Sequence, residues 1–267
     1  MLYFVATPIG NLKDITFRAI ETLKNVDVIA CEDTRHSITL LNHYEIKKPL
    51  ISYHKFNERE ACQKIIDLLN LNKSVAVITD AGMPVISDPG NVLVKTLIEN
   101  GLEYTVVPGA SAFTSALVLS GVDSERFCFV GFLPDKKSQR EELLSSFKST
   151  PATLIFYSAP HDVKKDVETL YSVLGNRPAV AVKEITKLHE KVERFELKDG
   201  YPFEPKGEYV ILVEYLKTDE NQDLTEKELI DKYISQGLDK KEALKKVAKE
   251  RGISKSELYK YTIEERK

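Results

Sequence analysis

Short apolar runs alternate with amphipathic, helix-like stretches from the first residues of the chain. The runs that predict strands are Leu2–Ala6, Asp27–Cys31, Ser74–Thr79 and Tyr104–Val107, and the stretches that predict helices are Phe17–Lys24, His36–His43, Asn57–Asn70 and Val92–Asn100. Alternation of this kind is typical of βαβ units. We therefore expect an α/β protein whose first half forms a mostly parallel sheet, with helices on both faces and continuously apolar strands.

The second half of the chain repeats this pattern less regularly. Its predicted strands are Thr153–Tyr157, Ala179–Lys183, Val192–Leu197 and Glu208–Tyr215, and its predicted helix is Asp162–Leu174. The last two of these strands have no long helix between them, which predicts that they form an antiparallel pair. The second sheet is therefore expected to be mixed.

Changes in composition divide the chain into three predicted parts. The polar stretch Pro134–Ser138 separates an N-terminal α/β domain, residues 1–134, from a C-terminal α/β domain, residues 135–217. A helical extension, residues 218–267, follows a polar linker. In the extension, Thr225 to Glu228 and Ser254 to Glu257 have capping-box spacing, and Asp239 fits a third N-cap. The segment around Gly252 has helix-turn-helix spacing, which suits nucleic-acid contact and simple helix packing equally.

Composition and charge narrow the class of protein. The 267 residues suit two ordinary domains, and 42% hydrophobic residues can bury a core. A net charge of −3 excludes a strongly basic protein but allows a local basic patch. The three scattered cysteines, without a C-x-x-C pair, favour neither a zinc ribbon nor disulfides. No membrane span or signal peptide is predicted, so we expect a cytoplasmic protein.

Three loops rich in glycine, proline and small polar residues follow predicted strands of the first sheet. They are Thr7–Leu12, Thr79–Gly90 and Pro108–Ala112. The carboxyl ends of parallel strands are where α/β proteins bind ligands, and exposed backbone groups there suit a polar, zwitterionic small molecule. The first loop could instead be a simple turn, the second a structural Ω-loop, and the third a site of tight helix–sheet packing. No G-x-G-x-x-G fingerprint is present, which argues against a dinucleotide site.

Charged residues follow two further predicted strands. Glu32 and Asp33, with Arg35 and a histidine, suit substrate binding or proton handling, but they equally suit a capped helix start. In the second half, the segments 156–161 and 183–190 would face one cleft if the two sheets lie side by side. His189 there is a candidate base or a structural hydrogen-bonding group. The five histidines lack paired metal-ligand spacing, so no metal is expected.

Several long motifs together resemble one known family. They are V-A-T-P-I-G-N-L-x-D-I-T at 5–16, A-C-E-D-T-R-H at 30–36, S-D-P-G at 87–90, G-F-L-P at 131–134, A-P-H at 159–161 and T-K-L-H-E at 186–190. The chain resembles ribosomal RNA small subunit methyltransferase I, a family of the tetrapyrrole methylase superfamily. The resemblance reaches to about residue 215, and the tail is similar to the family's helical extension.

The resemblance implies 2′-O-methylation of a cytidine ribose in 16S rRNA, near the decoding site of the small subunit. It also implies S-adenosylmethionine in the cleft between two α/β domains, a homodimer and no metal. The positions that it assigns to the cofactor are Pro8, Gly10, Asp80, Ala81, Gly82, Met83, Pro84, Ser87, Asp88, Ser111, Ala112, Tyr157 and Ala159. The chain departs from the family's usual motifs at Met83, Val85 and Ala110, where the family has Thr, Gly and Pro.

The activity that the resemblance implies suggests candidate residues for catalysis and for RNA binding. A base that activates the ribose hydroxyl, or a group that orients it, is expected among Glu32, Asp33, Lys187, His189 and Glu190. The RNA-binding candidates are Arg35, Lys136, Lys137, Arg140, Lys255 and Lys260. The alternatives are a precorrin-type tetrapyrrole methyltransferase and a non-catalytic RNA-binding factor of ribosome assembly. A nicotinamide-dependent oxidoreductase fits least, because its fingerprint is missing.

Overall fold

The computed structural model of the protein describes residues 1–201, 204, 206–216, 224–254 and 258. The chain divides into two compact units, Met1–Tyr215 and Leu216–Lys267. The strands of the described residues are β1 (Leu2–Val5), β2 (Val28–Cys31), β3 (Leu50–Ser52), β4 (Val75–Ile78), β5 (Tyr104–Val107), β6 (Phe127–Phe132), β7 (Thr153–Ser158), β8 (Pro178–Lys183), β9 (Lys191–Glu196) and β10 (Tyr209–Val213). Their helices are α1 (Phe17–Asn25), α2 (Thr34–His43), α3 (Glu58–Asn70), α4 (Asn91–Glu99), α5 (Ala112–Ser120), α6 (Lys137–Phe147), α7 (Val163–Leu174), α8 (Glu226–Ser235) and α9 (Lys240–Arg251).

The first sheet has the strand order β3-β2-β4-β1-β5, and every pairing in it is parallel. The expected parallel sheet is thus confirmed. Alternate residues of its strands supply two apolar clusters, one containing Leu2 and Val77 and the other Val5 and Ile29. Helices α3 and α4 pack into the first cluster, and α1 and α2 pack into the second. Burial on both faces explains why the strands are apolar throughout.

Side-chain caps fix where the first two helices begin. The hydroxyl of Thr16 accepts a hydrogen bond from the amide of Ala19, at 3.1 Å, and this bond caps α1. The carboxylate of Asp33 accepts one from the amide of Arg35, at 2.8 Å, and caps α2. Such caps satisfy amides that the helix leaves without a partner. The capped helix start that was one of two interpretations of residues 31–36 is therefore confirmed.

The second sheet has the strand order β6-β7-β10-β8-β9. Strand β6 pairs parallel with β7, whereas the other pairings are antiparallel, so the expected mixed sheet is confirmed. The expected pairing between the last two strands is wrong, because β8 lies between β9 and β10. The connection after β9 starts with a 3₁₀ turn at Leu197–Asp199 and is long enough to cross β8 instead of forming a hairpin.

Three elements had no counterpart in the sequence-based prediction, namely β3, β6 and α6. Strand β3 has only three residues, which is too few for a periodic pattern. Helix α5 follows the loop Pro108–Ala112 and packs on β8 and β10. Strand β6 pairs within the second sheet, although the expected boundary between residues 134 and 135 assigns it to the N-terminal domain. The division into domains stays a prediction.

The smaller unit contains α8 and α9 around its own apolar cluster. Thr225 and Glu228 form the expected capping box at α8, and Asp239 accepts a hydrogen bond from the amide of Glu242 at the start of α9. Gly252 ends α9 in the left-handed conformation, at φ 65°, and Leu258 is fully buried in the cluster. The remaining capping-box prediction, from Ser254 to Glu257, involves positions that lie outside the described residues.

A buried ion pair anchors α6 and α7 to the second sheet. Arg140 is only 1% exposed, and its guanidinium donates to Asp166 Oδ1 at 2.5 Å and to the carbonyl of Pro134 at 2.5 Å. The other carboxylate oxygen of Asp166 accepts a hydrogen bond from the hydroxyl of Ser158 at the end of β7, at 2.5 Å. The charges are therefore paired and hydrogen-bonded, which their burial requires.

We predict that Arg140→Ala lowers the free energy of unfolding by about 3–5 kcal/mol, because it leaves the buried Asp166 carboxylate without its partner. Urea denaturation measures this effect. Lys137→Ala is the matched control on the same helix, since the Lys137 side chain is 84% exposed and pairs with Glu141 only at 3.8 Å. We expect the control to change stability by less than about 1 kcal/mol. Equal effects of the two substitutions would contradict the structural role of the buried pair.

Candidate active site

The order in which the chain adds strands reverses at the centre of the first sheet. Strands β1 and β4 are neighbours, but after β1 the chain continues to β2 toward one edge, and after β4 it continues to β5 at the other edge. Ligands of α/β sheets bind at such a switch point, outside the carboxyl ends of the strands. The loops that follow these strands are joined there by an antiparallel bridge between Thr7 and Gly82, with N–H···O distances of 2.9 and 3.2 Å. The two glycine- and proline-containing loops therefore form one rigid edge.

The second sheet meets this edge at Gly10. Gly10 has a φ of 150°, and a side-chain Cβ placed on it would lie 2.5 Å from Cγ of Lys187 and 3.2 Å from the carbonyl oxygen of Ile185. Only glycine permits so close an approach in this conformation. The loop after β1 and the loop after β8 are therefore in direct contact, and they close one end of a cleft between the sheets.

The cleft has a volume of about 330 Å³. Ten of the positions that the family resemblance assigned to the cofactor line it, namely Asp80, Ala81, Gly82, Met83, Ser87, Asp88, Ser111, Ala112, Tyr157 and Ala159. Pro8, Gly10 and Pro84 do not line it. Gly10 acts instead through the contact with the loop after β8. The three loops that the sequence singled out are thus brought together, although the binding roles of their residues stay predictions.

An aromatic cluster forms the wall of the cleft on the side of the second sheet. The rings of Phe113 and Phe129 stack at 4.5 Å, and Tyr157 contacts Phe129 and Phe132 edge-on at 4.9 and 5.4 Å. Burial, with a smaller contribution from the charge of Asp88, raises the pKa of Tyr157. The Tyr157 hydroxyl therefore stays neutral at physiological pH and offers both a donor and an apolar ring.

Three carboxylates gather on the opposite side of the cleft. Asp80 and Asp88 line it, and Glu32 approaches it through Thr79, whose hydroxyl donates to Glu32 Oε2 at 3.3 Å. Burial and then the negative charges of Glu32 and Asp80 raise the pKa of Asp88 to about 6, against a partly compensating hydrogen bond from Thr79. The region thus favours a cationic ligand and holds a carboxyl group that titrates near neutral pH.

Lys187 is the only candidate catalytic residue that directly lines the cleft among the described residues. Its ammonium group donates to Glu184 Oε1 at 3.0 Å and to Glu208 Oε2 at 2.8 Å. Burial alone would lower the pKa of Lys187, but the two carboxylates outweigh burial and raise it. Lys187 is therefore a stable cation, which suits charge stabilisation and does not suit a base.

The other candidates from the same loop lie elsewhere. His189 and Glu190 are exposed and line a separate depression beside Lys183 and Lys206. Glu190 accepts a hydrogen bond from the amide of Thr186 at 2.7 Å, so it stabilises the loop. Asp33, in the loop after β2, caps α2, and its amide donates to the cleft-lining Asp80 at Oδ1, at 3.3 Å. His189, Glu190 and Asp33 do not themselves line the cleft that Lys187 lines.

Strained backbone surrounds the cleft. Four non-glycine residues with positive φ lie in its loops, namely Val85 (77°), Ser87 (63°), Glu184 (49°) and Thr186 (64°). Such conformations cost about 1–3 kcal/mol each and are typical of functional sites. Val85 and Thr186 are the most unfavourable residue types of the four, because both are branched at Cβ. Val85 stands where the family usually has glycine. Met83, which also differs from the usual family motif, lines the cleft.

The RNA-binding candidates differ in exposure. Arg35, Lys136 and Lys137 are exposed, and Arg35 also pairs with Asp33 at 3.1 Å. The assignment of Arg140 to RNA binding is wrong, because its guanidinium is buried against Asp166 and Pro134. Lys255 and Lys260 lie outside the described residues.

The sequence-based prediction missed five residues of the cleft, namely Phe132, Val182, Glu208, Tyr209 and Val210. They stand in or next to β6, β8 and β10. Knowing that these strand ends face the first sheet requires the order of the second sheet.

No helix formed by the described residues is long and apolar enough to cross a bilayer.

Comparison with known proteins defines the class to which this fold and cleft belong. The family model described as Tetrapyrrole (Corrin/Porphyrin) Methylases matches residues 1–199. Among solved structures, that of the methyltransferase CobJ superimposes with a TM-score of 0.64 at 17% identity, over 80% of this chain and 94% of that one. The match and the shared fold define the class as that of the tetrapyrrole methylases.

Curated relatives define the family more narrowly. The chain is 42% identical over 268 residues to ribosomal RNA small subunit methyltransferase I of Halalkalibacterium halodurans, covering 97% of this chain and 93% of the relative. It is 41% identical over 270 residues to the protein of the same name from Bacillus subtilis, covering 97% and 92%. Within its class, the chain belongs to the ribosomal RNA small subunit methyltransferase I family.

The raised pKa of Asp88 predicts a pH-dependent effect on stability. The pKa of Asp88 in the folded protein is about 6, whereas an unperturbed carboxyl has a pKa of 3.8. Ionisation of Asp88 therefore destabilises the fold as the pH rises between these values. We predict that Asp88→Asn raises the melting temperature at about pH 8 and that this gain disappears below about pH 4.

Differential scanning fluorimetry across this pH range measures the effect. Asp135→Asn, at an exposed carboxyl, is the control and should give no pH-dependent gain. A gain for Asp88→Asn that persists unchanged at low pH would show that the electrostatic explanation is incorrect.

Proposed function

We propose that this protein transfers the methyl group of S-adenosylmethionine to the 2′-hydroxyl of a cytidine in 16S rRNA of the small ribosomal subunit, near the decoding site. The observation that carries the proposal is the near-full-length similarity to ribosomal RNA small subunit methyltransferase I, combined with a cleft at the switch point of the first sheet. The cytoplasm, where ribosomal subunits are found, is the proposed location.

The residues of the cleft fit S-adenosylmethionine. A volume of about 330 Å³ lies within the range of small-molecule sites. Asp80 supplies negative charge for the ammonium group, and the apolar side chains of Ile9, Met83 and Tyr157 suit the adenine ring. When bound, this cofactor supplies a methyl group that its sulfonium charge has already activated.

The chain's own contribution is positioning and proton transfer. The ribose hydroxyl needs a group that orients it and accepts its proton. Among the carboxyl groups that line the cleft, Asp88 has a pKa of about 6, near the pH at which the enzyme works, and this makes it the proposed acceptor. The negative charge of Glu32 raises the pKa of Asp88 and so helps Asp88 to accept the proton. The Lys187 ammonium group is paired with Glu184 and Glu208 and so ties the loop after β8 to the start of β10.

A second copy of this chain is the proposed partner in a homodimer. Strand β5 forms an edge of the first sheet, and its Tyr104 and Val106 side chains are exposed. Exposed apolar residues on an unpaired strand edge are typical of surfaces that another chain covers. This edge therefore supports the homodimer that the family resemblance implies.

The proposed reaction predicts incorporation of labelled methyl groups into small subunits from cells that lack the gene. Mapping of ribose methylation should then find one 2′-O-methylcytidine near the decoding site. Subunits from cells that retain the gene are the control, because their site is already modified. Binding of S-adenosylmethionine without transfer to subunits or to free 16S rRNA would reject the rRNA substrate and favour a tetrapyrrole substrate.

The proposed base predicts the pH profile of the reaction. The wild-type kcat/KM should fall on the acid side with a midpoint at about pH 6, because Asp88 must be ionised to accept a proton. Asp88→Asn should lower the rate by about 10²–10⁴-fold and remove this acid limb. Glu32→Gln should move the limb to lower pH, because it removes a charge that raises the pKa of Asp88. An unchanged limb in Asp88→Asn would assign the base to another group.

A further inference from the structure

A phenylalanine in the loop after β3 projects into solvent. Phe56 is 95% exposed, more than any other large apolar side chain among the described residues. Covering this ring with a ligand would remove its apolar surface from water, which is favourable. We propose that Phe56, with Lys55 and Arg59, forms a stacking platform for an unpaired base of the substrate RNA; this inference rests on the proposed function.

The turn that carries Phe56 is rigid. The side-chain oxygen of Asn57 accepts a hydrogen bond from the amide of His54 at 2.8 Å, and its side-chain nitrogen donates to the carbonyl of Ser52 at 2.9 Å. The ring nitrogen Nδ1 of His54 accepts a hydrogen bond from the amide of Phe56 at 3.2 Å. Because these hydrogen bonds fix the backbone on both sides of Phe56, binding of a base requires little loss of conformational entropy in the loop.

The same turn is tied to the loop that lines the cleft. Glu58, the first residue of α3, accepts hydrogen bonds from the amide of Gly90 at 2.9 Å and from the hydroxyl of Tyr53 at 3.1 Å. Gly90 ends the loop Thr79–Gly90, which supplies Asp80 and Asp88 to the cleft. A base stacked on Phe56 is therefore held at a fixed position relative to the proposed site of methyl transfer.

The charges around Phe56 favour RNA over an apolar protein partner. The Glu58 carboxylate is occupied by the contacts to Gly90 and Tyr53, and Glu60 is paired with Lys64 at 2.7 Å. Lys55 and Arg59 are exposed and have no ion-pair partner within the part of the chain that the structure describes. An aromatic ring between cations is typical of surfaces that bind single-stranded RNA by stacking and phosphate contacts.

Neighbouring strands extend this surface. Strand β3 pairs parallel with β2, and the amide of Tyr53 donates to the carbonyl of Cys31 at 2.8 Å. The loops after the two strands therefore leave the sheet side by side. The segment after β2 begins α2, where Arg35 is exposed and pairs with Asp33 at 3.1 Å, so one further cation stands after the neighbouring strand.

Binding of a short, fluorescein-labelled single-stranded RNA that contains cytidines tests the platform by fluorescence anisotropy. Phe56→Ala should raise the Kd between about 5-fold and 150-fold, the range for loss of one base–aromatic stack, whereas Phe56→Tyr should stay near the wild type. Leu71→Ala is the matched control, because Leu71 is 72% exposed at the opposite end of α3. A Kd for Phe56→Ala within about 2-fold of the control would overturn the proposal.

A second readout detects stacking directly. The chain contains no tryptophan, so Phe56→Trp introduces a single indole whose emission reports on its surroundings. Stacking on a base should quench this emission as the RNA saturates, and Leu71→Trp should show no quenching. Absence of quenching in Phe56→Trp, despite RNA binding, would also overturn the proposal.

Parallel measurements separate this inference from the proposed function. Wild-type protein that binds the RNA through Phe56 but methylates no ribosomal subunit would reject the proposed reaction and leave the platform standing. Methyl transfer to subunits with full RNA affinity in Phe56→Ala would reject the platform alone. If Phe56→Ala weakened binding to small subunits but not to the free RNA, the occupant would be a ribosomal protein, and the proposal would be overturned.

Discussion

The cleft depends on one backbone contact, the antiparallel bridge between Thr7 and Gly82. This bridge joins the loops after β1 and β4, which otherwise diverge toward opposite edges of the first sheet. With the loops joined, Gly10 meets the loop after β8, and the second sheet gains a fixed position opposite the first. A side chain at position 10 would collide with Lys187 and with the carbonyl of Ile185, so this contact requires glycine.

The cleft brings together negative charges whose burial is unfavourable. Burial, together with the charges of Glu32 and Asp80, raises the pKa of Asp88, and strained residues such as Val85 and Thr186 add backbone cost. The stability needed to hold this arrangement comes from elsewhere, namely the two apolar faces of each sheet and the buried pair of Arg140 and Asp166. Functional sites commonly store strain in this way.

The sequence predicts those parts of the site whose signal is local. Asp80 and Ser111 follow apolar strands within loops rich in glycine and proline, so the parallel sheet places them at one edge without further information. Phe132 and Glu208 were missed because their position depends on the order of the mixed sheet. Arg140 was assigned wrongly because its partner Asp166 lies on another helix, and a surface arginine has the same local pattern. The pKa of Asp88 likewise depends on Glu32, which is distant along the chain.

The position of β10 has a consequence for how the protein is made. The first sheet is complete once the chain has been synthesised through β5, at Val107, whereas β10, the last strand of the second sheet in chain order, lies at its centre between β7 and β8. During translation the edges of β7 and β8 that later pair with β10 therefore stay unpaired until residues 209–213 have left the ribosome. The wall of the cleft that carries Tyr157 is thus completed late, and a nascent chain stalled before β10 has a finished first sheet but no enclosed cleft.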